Sequence, residues 1–273
     1  MVKKLLRQEF NYYSRTLIFI LPAVLFLGMS TRVVQFFEFD HAVYYLIFAL
    51  SIFILSVSSI VAVLASEVLG VVRFYKNLYT AEGYLTFTLP VTNHQHIISK
   101  VIAHVIAVMA SIVTVIIAWT IAFFNVEYEL FTEIVNEFSE LFDSIDISYY
   151  IGHFIAFGLE FLLILIISSI GTPLLYYTCI SIGQTAKKHR ILTSIGVYYL
   201  YNIALEVIAT AISIFFVLLG SFGALEGLTT FIVNYPLAFF HILIWLMIIV
   251  SAGFTVLCYY INLKIMNNKL NLE

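Results

Sequence analysis

Three carboxylates sit inside long apolar stretches of this 273-residue sequence: Glu67, Glu160 and Glu206. A charge near the middle of a bilayer costs ~3 kcal/mol or more, so such a group faces a protein interior or a wet cavity, or carries a proton. The chemistry open to it is attraction of cations along a pathway, proton exchange, or plain hydrogen-bonded packing. Glu67 lies near the cytoplasmic end of its stretch, within reach of polar surroundings. At ~1.5 Å per helical residue, Glu160 and Glu206 lie roughly 14–20 Å from the outer ends of theirs. Asn202 stands one helical turn before Glu206 on the same face, and Tyr198, Tyr199 and Tyr201 add hydroxyls nearby. His153 and Gly158 flank Glu160 without forming a transport motif.

A second group of residues lies between apolar stretches. It runs Arg73-Phe-Tyr-Lys-Asn-Leu-Tyr-Thr-Ala-Glu-Gly-Tyr-Leu-Thr-Phe-Thr-Leu-Pro-Val-Thr-Asn-His-Gln-His96. A loop this rich in Phe, Tyr and Leu is too apolar to stand in water and needs cover. Aromatics with a few fixed charges suit the core of a protein contact; packing on the chain's own helices is the plainer alternative. Gly83 and Pro90 interrupt it, and Thr92 or Asn93 is placed to cap the next helix. His94 and His96 lack the further ligands that a metal centre needs.

Other chemistry is missing. The sequence has no G-x-x-x-x-G-K-[ST], no H-E-x-x-H and no G-x-S-x-G. The last apolar stretch has none of the regular arginines of a voltage sensor, and no filter-like Gly-Tyr-Gly occurs. The two halves show no inverted pair of broken helices. Cys179 and Cys258 are far from C-x-x-C spacing and read as small packing residues. Net charge is −3, which argues against a nucleic-acid partner. No catalytic or metal-binding residues are assigned, and no cofactor is expected on the chain itself.

The elements that carry these residues are membrane helices. Hydrophobic residues make up 62% of the chain, charged ones 11%, and mean hydropathy is +1.04. Six apolar runs, roughly 16–36, 41–72, 97–125, 151–183, 191–219 and 238–262, are each long enough to cross ~30 Å of hydrocarbon as a helix. They lack the alternation of barrel strands. Short connections leave no room for a soluble catalytic domain, so residues 1–273 read as one membrane domain.

Of 13 Lys and Arg, all but Arg32 fall on one side of this six-span pattern. Lys3, Lys4, Arg7 and Arg15 precede the first span; Arg73, Lys76 and Lys100 follow the second; Lys187, Lys188 and Arg190 follow the fourth; Lys264 and Lys269 follow the sixth. The positive-inside rule then places both termini in the cytoplasm. The basic start resembles a secretory signal only superficially, since Leu27-Gly28-Met29 is a poor cleavage site, and it is expected to be retained.

Two amphipathic helices are expected outside the spans. In residues 1–15, Val2, Leu5, Leu6, Phe10 and Tyr13 form an apolar stripe with Lys3, Lys4 and Arg7 off it, and Glu9 is the misfit on that stripe. In residues 127–147, Leu130, Ile134, Phe138, Leu141 and Ile145 form a stripe opposite an acidic face. Gly171-Thr-Pro173 interrupts the fourth span and suggests a kink.

Taken together, the amphipathic start, six spans, aromatic loop 73–96 and outer amphipathic helix resemble a type-2 ABC exporter permease. Arg73 to Pro90 looks like the corresponding loop of Gram-positive permeases, and the tail Asn267-Asn-Lys-Leu-Asn-Leu-Glu273 is similar to theirs. The resemblance spans the chain. It implies a multi-pass protein of the bacterial cell membrane that dimerises with a second copy or a paralogue. It implies two copies of a separate cytoplasmic ATPase, which would hold the ATP and Mg. The fused ATPase of larger relatives is missing here.

On this resemblance, a coupling helix around Glu82 would enter a cleft on the ATPase, with Arg73, Tyr75, Lys76, Glu82, Gly83 and Tyr84 at the contact. Lys3, Lys4, Arg7 and Phe10 would belong to a connecting helix at the same interface. The second and fifth spans would line the path, which holds Glu67, Asn202 and Glu206; Glu160, in the fourth span, is a further path candidate as an acid inside the membrane. The small outer region is similar to exporters of amphipathic peptides and drugs. Two other readings stay open: a scaffold or sensor subunit that moves nothing, and a small ion-driven transporter using Glu160 or Glu206.

Overall fold

The computed structural model describes residues 2–37, 42–123, 147–223 and 225–268, with the backbone alone for 147–150 and 268. All regular structure among them is helical. The elements are α1 (Val2–Gln35), α2 (Ala42–Tyr79), α3 (Ala81–Phe87), α4 (Asn93–Phe123), α5 (Ile147–Gly183), α6 (Arg190–Ser221), α7 (Glu226–Asn234) and α8 (Pro236–Asn268). Six of them, α1, α2, α4, α5, α6 and α8, are long and apolar enough to cross a membrane. The expected all-α fold with six spans is therefore present. The amphipathic helix expected at 127–147 lies outside the described residues apart from its last position.

Several elements outrun the hydrocarbon. At ~1.5 Å per residue, the 38 residues of α2 and the 37 of α5 reach well past ~30 Å. Two boundaries differ from the sequence reading for this reason. Residues 2–15 are not a separate helix: α1 runs unbroken from Val2 through Pro22 to Gln35. No glycine or proline separates Arg15 from the span, so the helix simply continues. Likewise Arg73, Tyr75 and Lys76 are not in a loop but on the last turns of α2. The Gly171-Thr-Pro173 step does not end α5, which continues to Gly183 with Pro173 fully buried.

The chain forms two compact units, Met1–Leu78 with Glu82–Ile147, and Tyr79–Ala81 with Ser148–Glu273. In the first, α1 lies along α4. Gly28 makes that possible, because a Cβ there would sit 2.5 Å from the Ala118 carbonyl oxygen. Small residues allow helices to approach closely in lipid, where no hydrophobic effect draws them together. Val24, Leu55, Ala62, Ala118 and Ala122 form one apolar cluster, and Tyr13, Leu17, Ala103 and Ala107 a second.

In the second unit, α5 and α8 share buried positions: Leu174, Tyr177 and Cys179 on one, Ile248 and Cys258 on the other. Both cysteines are free. By contrast, α6 has no buried residue. It begins at His189, which takes a left-handed conformation (φ 54°) at the turn out of α5. Histidine is among the few non-glycine residues that visit this region with any frequency.

Candidate functional site

The segment between α2 and α4 is built as a platform. The helix α3 has only two turns. Gly83 and Thr86 point inward and are buried, whereas Tyr84 and Leu85 are exposed. Behind α3, Phe74 and Leu78 of α2 are completely covered. Beyond it, Thr92 caps α4 in a reciprocal box. The Gln95 amide donates to Thr92 Oγ1 (3.4 Å), and the Thr92 amide donates to Gln95 Oε1 (3.3 Å). Of the two caps the sequence offered, Thr92 is the one used.

An ion cluster anchors this platform. Glu9 of α1 accepts from Arg73 Nε at 2.9 Å and from Lys100 Nζ at 2.8 Å. The Arg73 guanidinium lies 4.7 Å over the Tyr12 ring and reaches Glu82 of α3 at 3.8 Å. Glu9 and Lys100 are both buried; Glu82 is exposed. A single arginine thus touches α1 and α3 at once. The misfit on the amphipathic stripe is explained: Glu9 faces inward to pair with buried Lys100 and half-buried Arg73.

One turn further along, Glu67 meets His104, with Nε2 2.9 Å from its carboxylate. The Tyr13 hydroxyl lies 3.3 Å from the other ring nitrogen. Gly70 leaves the room for this ring, since a Cβ there would fall 1.7 Å from His104 Nδ1. Beyond lie Ser66 with Ser111 (2.5 Å) and Trp119 with Ser59 (3.0 Å). These contacts line up as a polar seam through the first unit.

No known family, curated protein or solved structure matches this chain.

The remaining intramembrane acids have different fates. Glu160 is buried, and both its oxygens lie 2.9 Å from His241 Nδ1. His241 comes early in α8, so Glu160 is level with the first turns of that helix. Counting residues from the end of the overlong α5 overstates its depth. Glu206 is exposed on α6, and its carboxylate makes no hydrogen bond or ion pair among the described residues. The expected Asn202 partnership is not formed. Asn202 Nδ2 donates instead to the Tyr198 carbonyl at 2.8 Å, the nearest acceptor on its own helix. Lys3, Lys4 and Arg7 are exposed along α1, and Phe10 packs beside Tyr13. Among the described residues, no three His, Cys, Asp or Glu side chains converge on a common point as metal ligands do.

Three functional candidates were not singled out from sequence. Lys100 was counted as a topology charge, and His104 and His241 were passed over. The signal available was an ionisable group inside an apolar run, the same signal that picked out the glutamates. A further polar chain joins Tyr79, Ser181, Asn262 and Thr178. Ser181 donates to Asn262 Oδ1 (2.8 Å), so the Tyr79 hydroxyl must donate to Ser181 (2.7 Å). Asn262 Nδ2 donates to Thr178 Oγ1 (2.8 Å).

Proposed function

We propose that this chain is the permease subunit of an ATP-driven exporter, working with a separate cytoplasmic ATPase. The observation that carries the reading is α3. Its exposed Tyr84 and Leu85 form an apolar surface on a short helix outside the spans. Its inner side is fixed by buried residues and by Arg73, which holds Glu9 and Glu82 together. An apolar helix face held this firmly suits transmission of force from a protein that grips it. Lipid contact alone would not require the buried charges behind it.

On this reading α3 is the coupling helix, and the start of α1, with Lys3, Lys4, Arg7 and Phe10, lies beside it. Both termini and α3 face the cytoplasm of a bacterial cell. Two ATPase copies, carrying ATP and Mg, bind a pair of permeases made from this chain or from it and a paralogue. Uncovered α6, with Glu206 on it, suits a helix completed by that second permease. The cargo is an amphipathic peptide or a drug-like molecule.

The test is purification of the intact protein from its native membrane in mild detergent. A nucleotide-hydrolysing subunit is expected to accompany it and to be lost in Leu85→Asp. Glu82→Lys and Gly83→Pro are expected to insert normally yet separate ATP hydrolysis from export. The reading fails if a cysteine at position 85 cross-links to no protein, or if both variants export at the unmutated rate.

A further inference from the structure

We propose that His153, His241 and Glu160 form a proton-binding site. The three lie in a line with His241 at its centre. Nδ1 of His241 is 2.9 Å from both Glu160 oxygens, and Nε2 is 3.0 Å from His153 Nδ1. The Phe157 ring stacks on the imidazole with centroids 4.0 Å apart, which fixes the plane of the ring. A metal would need these groups to converge; here the central ring uses both nitrogens on its neighbours.

The hydrogens can be assigned from the contacts. With no added proton, His241 Nδ1–H donates to the carboxylate, and His153 Nδ1–H donates to the bare Nε2 of His241. That arrangement carries a charge of minus one within a membrane span. One proton taken from water makes His241 an imidazolium that donates at both nitrogens. His153 then accepts at Nδ1 and keeps its own hydrogen on Nε2. The contacts along the line survive, and the three groups together become neutral. Neutrality is favoured in a medium that penalises net charge.

His153 and His241 are both half-buried, and Glu160 is buried. His153 is nearer the start of α5 than Glu160, by seven residues or ~10 Å. The proton therefore enters from the His153 end of the line and is held between His241 and Glu160. Among the described residues, two other carboxylates belong to this unit, and neither contacts the line. Glu226, at the start of α7, lies beside Gly223, and Glu206 is on the uncovered face of α6.

A reporter is built in. Trp245 stands one turn after His241 on α8 and lines the same groove as it, with Ile242, Leu246 and Ile249. An imidazolium this close quenches indole emission. The chain has two tryptophans, so Trp119→Phe leaves Trp245 alone. The experiment is a fluorescence titration of that variant, purified intact in detergent, between about pH 8 and pH 5, where imidazoles change charge. Emission is expected to fall on acidification in one reversible, one-proton step. His241→Gln is expected to abolish the fall, His153→Gln to retain it, and Glu160→Gln to show less of it at any given pH. Flat emission in the parent overturns the proposal, as does an unchanged fall in His241→Gln. Should His241→Gln not fold, Glu160→Gln decides: a titration superimposable on the parent's overturns it equally.

Discussion

The two units treat their polar groups differently. In the first, side chains from α1, α2 and α4 interlock: Glu9 with Arg73 and Lys100, Glu67 with His104 and Tyr13, Ser66 with Ser111. Gly28 brings the backbone of α1 onto α4 along the same interface. In the second, polar contacts join α5 to α8 through Glu160 and His241, and through Ser181 and Asn262, whereas α6 buries nothing. Lipid tails are as apolar as leucine, so helices in a bilayer are held by close packing and by polar contacts. The first unit has both. In the second, α6 touches its neighbours at a few points, Ser194 against Gly183, Tyr198 beside Tyr176 and Tyr201 stacked on Phe254, and buries no residue fully.

The largest effect expected from breaking this contrast is at Glu9. Glu9→Ala would leave buried Lys100 without a counter-charge and Arg73 with only the exposed Glu82 at 3.8 Å, and removing one partner of a buried ion pair costs about 3–5 kcal/mol. The loss is measurable as lowered denaturation resistance of the purified protein. Adding Lys100→Met should recover part of it, because one stranded charge is then gone. No recovery would mean that Glu9 acts through packing alone. Gly28→Val is expected to come next, at about 1–3 kcal/mol. The clash is with the backbone of Ala118, which no side-chain rotation relieves. If Gly28→Val is neutral, the close approach of α1 to α4 is not what holds the first unit.

The fold was largely legible from the sequence because span length and hydropathy are local properties. The six runs and a cap at Thr92 follow from residues within a turn of one another; Gly83, expected to interrupt the chain, lies instead inside α3, and the break falls at Thr80. Glu9 was legible only as an anomaly. Its partners are 64 and 91 residues away, and nothing in the spacing of α1 announces them. Glu160 was singled out correctly as an acid in need of company, but His241 is 81 residues off. The neighbours Asn202 and Glu206 misled for the opposite reason. They share a helix face, yet an amide in a helix finds its own chain's carbonyl before it finds a side chain.

A sharper comparison of the two units comes from Asn262, which is fully buried. Asn262→Leu removes the acceptor for the buried Ser181 hydroxyl, which keeps only the bond it accepts from Tyr79, at a cost of about 1–3 kcal/mol. Because Ser181 also takes the Tyr79 hydroxyl, Tyr79→Phe should cost less, and the two losses should not add. Strict additivity in a double-mutant cycle would show that the chain from Tyr79 to Asn262 is two separate contacts rather than one.

The smallest effect is expected at Glu206, and its smallness is what makes it informative. The carboxylate has no partner among the described residues and lies on a helix with no buried position. Glu206→Gln in the isolated, detergent-solubilised chain should therefore change stability by no more than about 0.5 kcal/mol, the range for a surface substitution. Glu160→Gln alters a buried carboxylate that contacts His241 and is expected to register above that range in the same measurement. A loss well beyond it for Glu206→Gln would mean that α6 is held within the chain by its carboxylate, and the contrast between the units would fall. If the isolated chain is indifferent while the native membrane complex is weakened, the missing surroundings of α6 come from another molecule.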